Sequence, residues 1–330
     1  MPAKWLPAAG QALSAAVLAA SLLAAVAAQA QSYPSHAIKM IVPFPPGGAD
    51  VMARLIAERM AAALGQPVVV ENRPGGGGGT VGAKTVAAAE PDGYTLLFTS
   101  PGPLTTSAAI YRNLDYDPIK SFAPVATIAA SPFLLVVHPA VPAGSVAELI
   151  AHAKANPRKL SYASAGYGTL PHMFYELLQQ RSGIELLHIP YRGSAPAITD
   201  LLAGQVDMYI DNTRNLLPYI QAGRLRPLAV TSEGRAHEFP ALPTMPESGY
   251  PEFLASYWNG VLARAATPAP IIERLNGVID ASLRTADVQA SIVKLGMTPK
   301  ITSPREFASL IAAEYAKWTA VAKAANIRVD

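Results

Sequence analysis

The 330-residue chain contains no cysteine. That excludes disulfides, a cysteine nucleophile, cysteine-ligated zinc and cysteine-bound iron–sulfur clusters, so stability has to come from core size. Charge is scarce as well, at 15% of residues, and nearly balanced: 26 Lys and Arg against 23 Asp and Glu, a net charge of +3. No long basic run concentrates it, which excludes the electrostatic footprint of a nucleic-acid binder. The six histidines, at 36, 138, 152, 172, 188 and 237, show no metal-ligand spacing. There is no G-x-S-x-G elbow. Beyond the first 30 residues, no segment is long and apolar enough to span a bilayer.

What is present is apolar residues, 51% of the chain, and proline, 30 residues, which points to many tight turns. Residues 1–30 carry one cation, Lys4, and no acid. An Ala/Leu/Val-rich run over 8–28 ends in Ala28-Gln29-Ala30, the small-x-small pattern that a signal peptidase reads. A cleaved secretory signal over 1–30 is expected, with a mature periplasmic chain from Gln31. The remaining 31–330 is long for one core and comfortable for two lobes.

Strand and helix signals then alternate. Residues 37–44 read as a strand, 51–64 as a helix capped by Asp50, and 67–71 as a second strand. A small-residue helix over 80–89 and a strand over 94–99 follow. This β-α-β-α-β order predicts an α/β fold with doubly wound parallel sheets. Residues 133–154 and 259–280 are similar units of strand, Pro-containing turn and amphipathic helix. Their starts are marked by Ser145 with Glu148, and by Thr267-Pro268. The repeat predicts two lobes joined by two crossovers, near 131–139 and 232–262. Lobe 1 is then discontinuous, 33–132 plus 233–330, and lobe 2 is 133–232. The last helix starts with a capping box, Ser303 with Glu306. Its apolar residues, including Phe307, Ile311, Trp318 and Val321, read as a packed core face without further function.

Ligands of doubly wound sheets sit beyond the C-terminal ends of strands. Four such ends are glycine-rich or polar. They hold Phe44, Gly47 and Gly48; Ser100; Ser164, Ala165, Gly166, Gly168 and Thr169; and Asp211. The first and third are strand–glycine–helix units in different lobes. A helix N-terminus offers unpaired N–H groups, and glycine lets an anion approach them. One loop per jaw makes a two-sided anion clamp, in which Gly168 allows close approach or a positive φ. Asp211 either bonds a ligand ammonium or hydroxyl, directly or through water, or caps the helix near Leu216. Gly77 to Gly82 matches G-x-G-x-x-G, but Asn72-Arg73-Pro74 separates it from the strand, so no nucleotide cofactor is expected. Asp115 and Asp117 flank Tyr116 in a turn. Neither a cofactor nor a metal is expected.

The motifs VPFPPGG, VVVENRPGGGGG, PDGYTLL, YASAGYGT and HIPYRGSAPAITDLLAGQVDMYIDN run in order along the chain, with LPTMPESGYP and Lys317-Trp318 after them. Together they resemble the substrate-binding receptors of tripartite tricarboxylate transporters, the Bug-type receptors. The resemblance covers nearly all of the chain after the leader. It implies a periplasmic-binding-protein-like clamshell that holds a small carboxylate largely through backbone amides and water. It also implies membrane permease subunits as partners. A monomer is expected. The sequence departs from the family at Gly47-Gly48-Ala49-Asp50, which is one residue short. Two other readings stay open: a sensory receptor serving a membrane sensor kinase, and a periplasmic α/β enzyme. The enzyme would need a nucleophile–base pair that the sequence does not display.

Overall fold

The computed structural model describes residues 33–236 and 238–329. The leader expected over 1–30, the start at Gln31, His237 and Asp330 lie outside the described residues. The strands β1 (Ile38–Val42), β2 (Val68–Asn72) and β3 (Thr95–Thr99) alternate with helices α1 (Gly48–Leu64) and α2 (Thr80–Ala87). β1 pairs in parallel with both β2 and β3. After them comes β4 (Phe122–Val137), a strand of 16 residues.

β4 organises both lobes. Up to Pro132 it pairs antiparallel with β9 (Ser256–Arg264). From Phe133 onward it pairs antiparallel with β7 (Met208–Asn212), and from Leu134 also with β8 (Arg226–Val230). The parallel strands β5 (Ser161–Ser164) and β6 (Leu187–Pro190) extend the second half. The full order is β2-β1-β3-β9-β4-β7-β5-β6, and β10 (Thr298–Pro299) also pairs with β4. The strand expected from residue 133 is therefore only the far part of a longer one. Irregularities at Pro124/Ala126 and Thr127/Ala129 break the period-2 pattern of the near part.

Helices cover both faces of each half, which makes the fold a two-lobed clamshell of doubly wound sheets. α3 (Val146–Ala155), α4 (Leu170–Ser182), α5 (Ser194–Leu202) and α6 (Thr213–Gln221) follow β4. α7 (Ala269–Leu283), α8 (Ala286–Lys294) and α9 (Pro304–Ala324) follow β9. In the first half, Met40, Ile56 and Leu275 meet on one face, and Ile41, Leu97 and Leu262 on the other. In the second, Leu135 packs with Tyr162 and Phe174, and Leu134 with Tyr209 and Leu201. Each fully buried aliphatic side chain contributes about 1.5–3 kcal/mol by leaving water.

Two local expectations change. Helix α1 starts at Gly48, earlier than the expected 51, because Gly47 serves as N-cap with extended φ, 164°. Asp50 thus lies in the first turn and is not the cap. It receives Arg54 Nε at 3.0 Å, one turn along, and still meets the positive end of the helix dipole. Helix α9 has the expected capping box: Ser303 N–H donates to Glu306 Oε2 at 2.8 Å, and Glu306 N–H to Ser303 Oγ at 3.2 Å. Its apolar stripe, however, serves two cores. Phe307 and Ile311 pack in the first half of the fold, Trp318 and Val321 in the second. Gln180 Nε2 of α4 also donates to the Val321 carbonyl at 3.2 Å. Among the described residues, no helix is long and apolar enough to cross a membrane.

The contact between β9 and α9 leaves no room at Gly260. A methyl group there would run into the buried Phe307 ring and come within 3.1 Å of the Ala126 carbonyl oxygen. Gly260→Ala should therefore cost about 1–3 kcal/mol through overpacking. Adding Phe307→Leu should recover part of that loss, and urea unfolding of the single and double variants measures both.

Candidate functional site

The C-terminal ends of β1, β3, β5 and β7 converge on a cavity of about 190 Å³ between the two halves of the fold. Phe44, Gly78, Ser100, Gly102, Thr106 and Ser107 form one wall. Ala165, Thr169, Leu170, Pro171 and Ser194 form the other. Phe133, Asp211, Asn212 and Tyr257 line it at the hinge, where β4, β7 and β9 meet. A neighbouring cavity of about 160 Å³ shares Asn212 and Tyr257 and reaches Gly48 at the start of α1.

The first-turn N–H groups of α4 and α5 have no intrahelical partner. Neither Thr169 nor Gly193, the two N-caps, supplies a side-chain cap bond. Both helix ends are electropositive. Asp211 is the one carboxylate of the cavity lining, and its oxygens are engaged. The Asn212 N–H donates to Oδ1 at 2.8 Å, and Asn215 Nδ2 to Oδ2 at 3.0 Å. Burial pushes the Asp211 carboxyl above its ordinary range, against those hydrogen bonds. The buried Asn212 Oδ1 has no partner within the protein. Tyr257 is raised by burial, with the Asn259 and Ser100 side chains opposing the shift. Among the described residues, no group of three or more His, Cys, Asp or Glu could hold a metal.

The sequence model of the tripartite tricarboxylate transporter family receptor matches residues 52–327. The chain belongs to this receptor family. It is 41% identical over 296 residues to Protein BugT of Bordetella pertussis, covering 89% of this chain and 90% of BugT. It is also similar to R. palustris Rpa4515 with adipate, at 38% identity and a TM-score of 0.74, covering 90% of this chain and 99% of that one. A third relative is MatC of Rhodopseudomonas palustris with bound malate, at 32% identity and a TM-score of 0.72, covering 88% and 99%.

Within this receptor, the four expected strand ends come together, but their residues divide into two groups. Phe44, Ser100, Ala165, Thr169 and Asp211 line the main cavity, and Gly48 lines its neighbour. Gly47, Ser164, Gly166 and Gly168 line neither cavity and lie beside lining residues in the same loops. Gly168 does take a positive φ, 71°. Its N–H is already used, donating to His172 Nδ1 at 3.1 Å, and a Cβ on it would run into Ile110. Asp211 both lines the cavity and, through its bonds from Asn212 and Asn215, ties its strand to α6, whose N-cap is Asn212 rather than Asp211. Asp117 Oδ1 accepts the Ile119 and Lys120 N–H groups, so this residue does close a turn.

Sequence reasoning missed Ser194, Thr106, Ser107 and Tyr257. It also set aside the glycine run 75–79, whose Gly78 lines the cavity. A Cβ on Gly78 would run into Ser107, and one on Gly102 would come within 2.9 Å of the Gly78 carbonyl oxygen. These glycines allow two loops of one wall to touch. The available signal was the run itself, read as close backbone approach instead of as a nucleotide fingerprint.

Behind the 164–169 loop lie two stacked imidazoles, His172 and His188, with ring centroids 4.3 Å apart. His188 Nε2 is 2.7 Å from Ser164 Oγ. Burial holds His172 down at about 4; burial and the neighbouring His172 hold His188 at about 3. Both are therefore neutral at pH 7, and His172 Nδ1 is free to accept from Gly168. In the unfolded chain each would protonate near its ordinary pKa of about 6.5. Stability from this pair is thus fully present above about pH 6.5 and is lost as pH falls toward 4 and 3. The melting temperature of the wild type should drop more between pH 7.5 and 5 than that of His172→Gln with His188→Gln. Equal slopes would show that the pair is not titrating on unfolding.

Proposed function

We propose that this receptor closes two lobes, 33–132 with 233–330 and 133–232, around a small carboxylate. The proposed setting is the periplasm, after removal of 1–30. The loaded monomer passes its ligand to the permease subunits of a tripartite tricarboxylate transporter and does not transform it. One observation carries the reading: the N-termini of α4 and α5, which lack side-chain caps, border at Leu170 and Ser194 a cavity whose one carboxylate is already bonded. A carboxylate supplies acceptors for the free N–H groups of these helix ends, and bridging water can fill the remaining distances. The ligands of the two structural relatives, adipate and malate, are both small dicarboxylates and support the same class.

In this reading Phe44, Gly47, Gly48, Ser100, Ser164, Ala165, Gly166, Gly168, Thr169 and Asp211 build the site with Ser194, Asn212 and Tyr257. The wall-forming members contact the ligand, and those beside them fix loop shape. Small dicarboxylates should raise the melting temperature, while neutral sugars should not. At about 100 times its dissociation constant a ligand adds roughly 2.7 kcal/mol. A response to sugars or metal ions, with none to a broad carboxylate panel, would overturn the proposal.

Asp211 offers a finer test. Its buried carboxyl suits a ligand group that donates a hydrogen bond, such as a hydroxyl beside the carboxylate. Asp211→Asn should weaken a hydroxy-dicarboxylate such as malate by about tenfold, as expected for one bond of about 1.5 kcal/mol to a charged group. Succinate, which lacks the hydroxyl, should bind both proteins alike. Titration calorimetry with the two acids reads the difference directly.

A further inference from the structure

The hinge has a second face. β9 alternates, so Tyr257 and Asn259 line the cleft cavities while Trp258 points to the opposite side. There α9 runs behind the hinge strands, with one end in each half of the fold, as its core contacts show. Phe307 and Trp318 are separated by about 16 Å along the helix axis, at about 1.5 Å per residue.

Between α9 and the hinge lies an open groove of about 730 Å³, walled by Ser131, Pro132, Thr231, Ser256, Glu314 and Lys317. The groove therefore borders both passages of the chain between the lobes. Two side chains from the middle of α9 reach the return passage. Glu314 Oε2 accepts from Trp258 Nε1 at 3.0 Å, at the root of β9. One turn later, Lys317 Nζ donates to the Leu254 carbonyl at 2.7 Å.

We propose that Glu314 and Lys317 are positioning residues that set the open–closed balance of the cleft from behind, through Trp258 and Leu254. The groove leaves space where continuous packing would otherwise fix the hinge. Rotation of one lobe on the other must change the width of this groove. Bonds spanning it then favour one width over the others, and so one degree of closure. A ligand that binds one conformation is held in proportion to the fraction of protein already in that conformation. Neither residue touches the cleft, so their influence on affinity passes through the hinge. Both side chains are half-buried, and burial raises the Glu314 carboxyl to about 7 and lowers the Lys317 ammonium to about 8.

The inference rests on the reading of the cleft as a closing carboxylate site, and its test separates the two. The absence of cysteine permits spin labels at Val69→Cys and Leu187→Cys, exposed positions on the outermost strands β2 and β6. Distances between the labels are measured by pulsed electron resonance in ligand-free protein, with melting curves to check folding. Glu314→Leu and Lys317→Met should shift or broaden the distance distribution. Glu314→Gln, which keeps an acceptor for Trp258, should leave it unchanged. Calorimetry with the dicarboxylate that binds the wild type should show at least a fivefold change in Kd for the first two variants and less than twofold for the third. Folded variants with an unaltered distribution would overturn the proposal even if no carboxylate bound. If Glu314→Leu fails to fold, Lys317→Met decides the matter alone, since it keeps the aliphatic stem and removes the ammonium that bonds Leu254 and lies 4.5 Å from the Trp318 ring.

Discussion

Sixteen residues of a single extended strand take hydrogen bonds from two different sets of neighbours. β4 holds β9 along its first part and β7 with β8 along its last five residues, and the exchange of partners occurs around Ser131 and Pro132. Both halves of the fold are thereby hung on one backbone. The cleft exists because the exchange is abrupt: the strand ends that feed the site approach this point from either side. Phe133, Asp211 and Tyr257 meet there because their strands are neighbours in register with β4.

In the proposed reading, this arrangement lets a chain with so little charge recognise an anion. The attraction comes from peptide dipoles that folding has already oriented, and these need neither a lysine nor an arginine in the wall. The cost is shape. Donors fixed in the backbone cannot swing to meet a ligand, so the loops that carry them must be held. The His172–Gly168 and His188–Ser164 bonds hold the 164–169 loop. The contact between Gly78 and Gly102 does the same on the facing wall.

The alternation of elements and the glycine-rich strand ends were legible because they are local properties. Periodicity, caps and turn chemistry act over a few residues, and the sequence displays them directly. Tyr257 and Ser194 were not legible because nothing local distinguishes them. Tyr257 enters the site through the pairing of β9 with β4, and Ser194 through the placement of α5 after β6, both set by contacts between residues far apart in the chain. Asp50 misled because Asp is a common N-cap, whereas the preceding Gly47 took the place first. Helix α9 misled in another way. Its stripe correctly announced burial, but periodicity cannot say that Phe307 and Trp318 enter different cores.

The place of β9 between β3 and β4 also constrains the order of assembly. A chain emerging from its N-terminus presents β1, β2, β3 and β4 long before residues 256–264 are available. Until they arrive, β3 and the first part of β4 have unpaired edges, and the sheet that contains them cannot be completed. Residues 133–230, by contrast, contain all the partners of β5, β6, β7, β8 and the far part of β4. The sheet of the continuous half can therefore form first, although Trp318 and Val321 complete its core only later, and the interrupted half must wait with open strand edges, which are sticky toward other chains. The same insertion that places a hinge beneath the ligand thus gives the nascent chain an interval in which one half depends on protection from its surroundings.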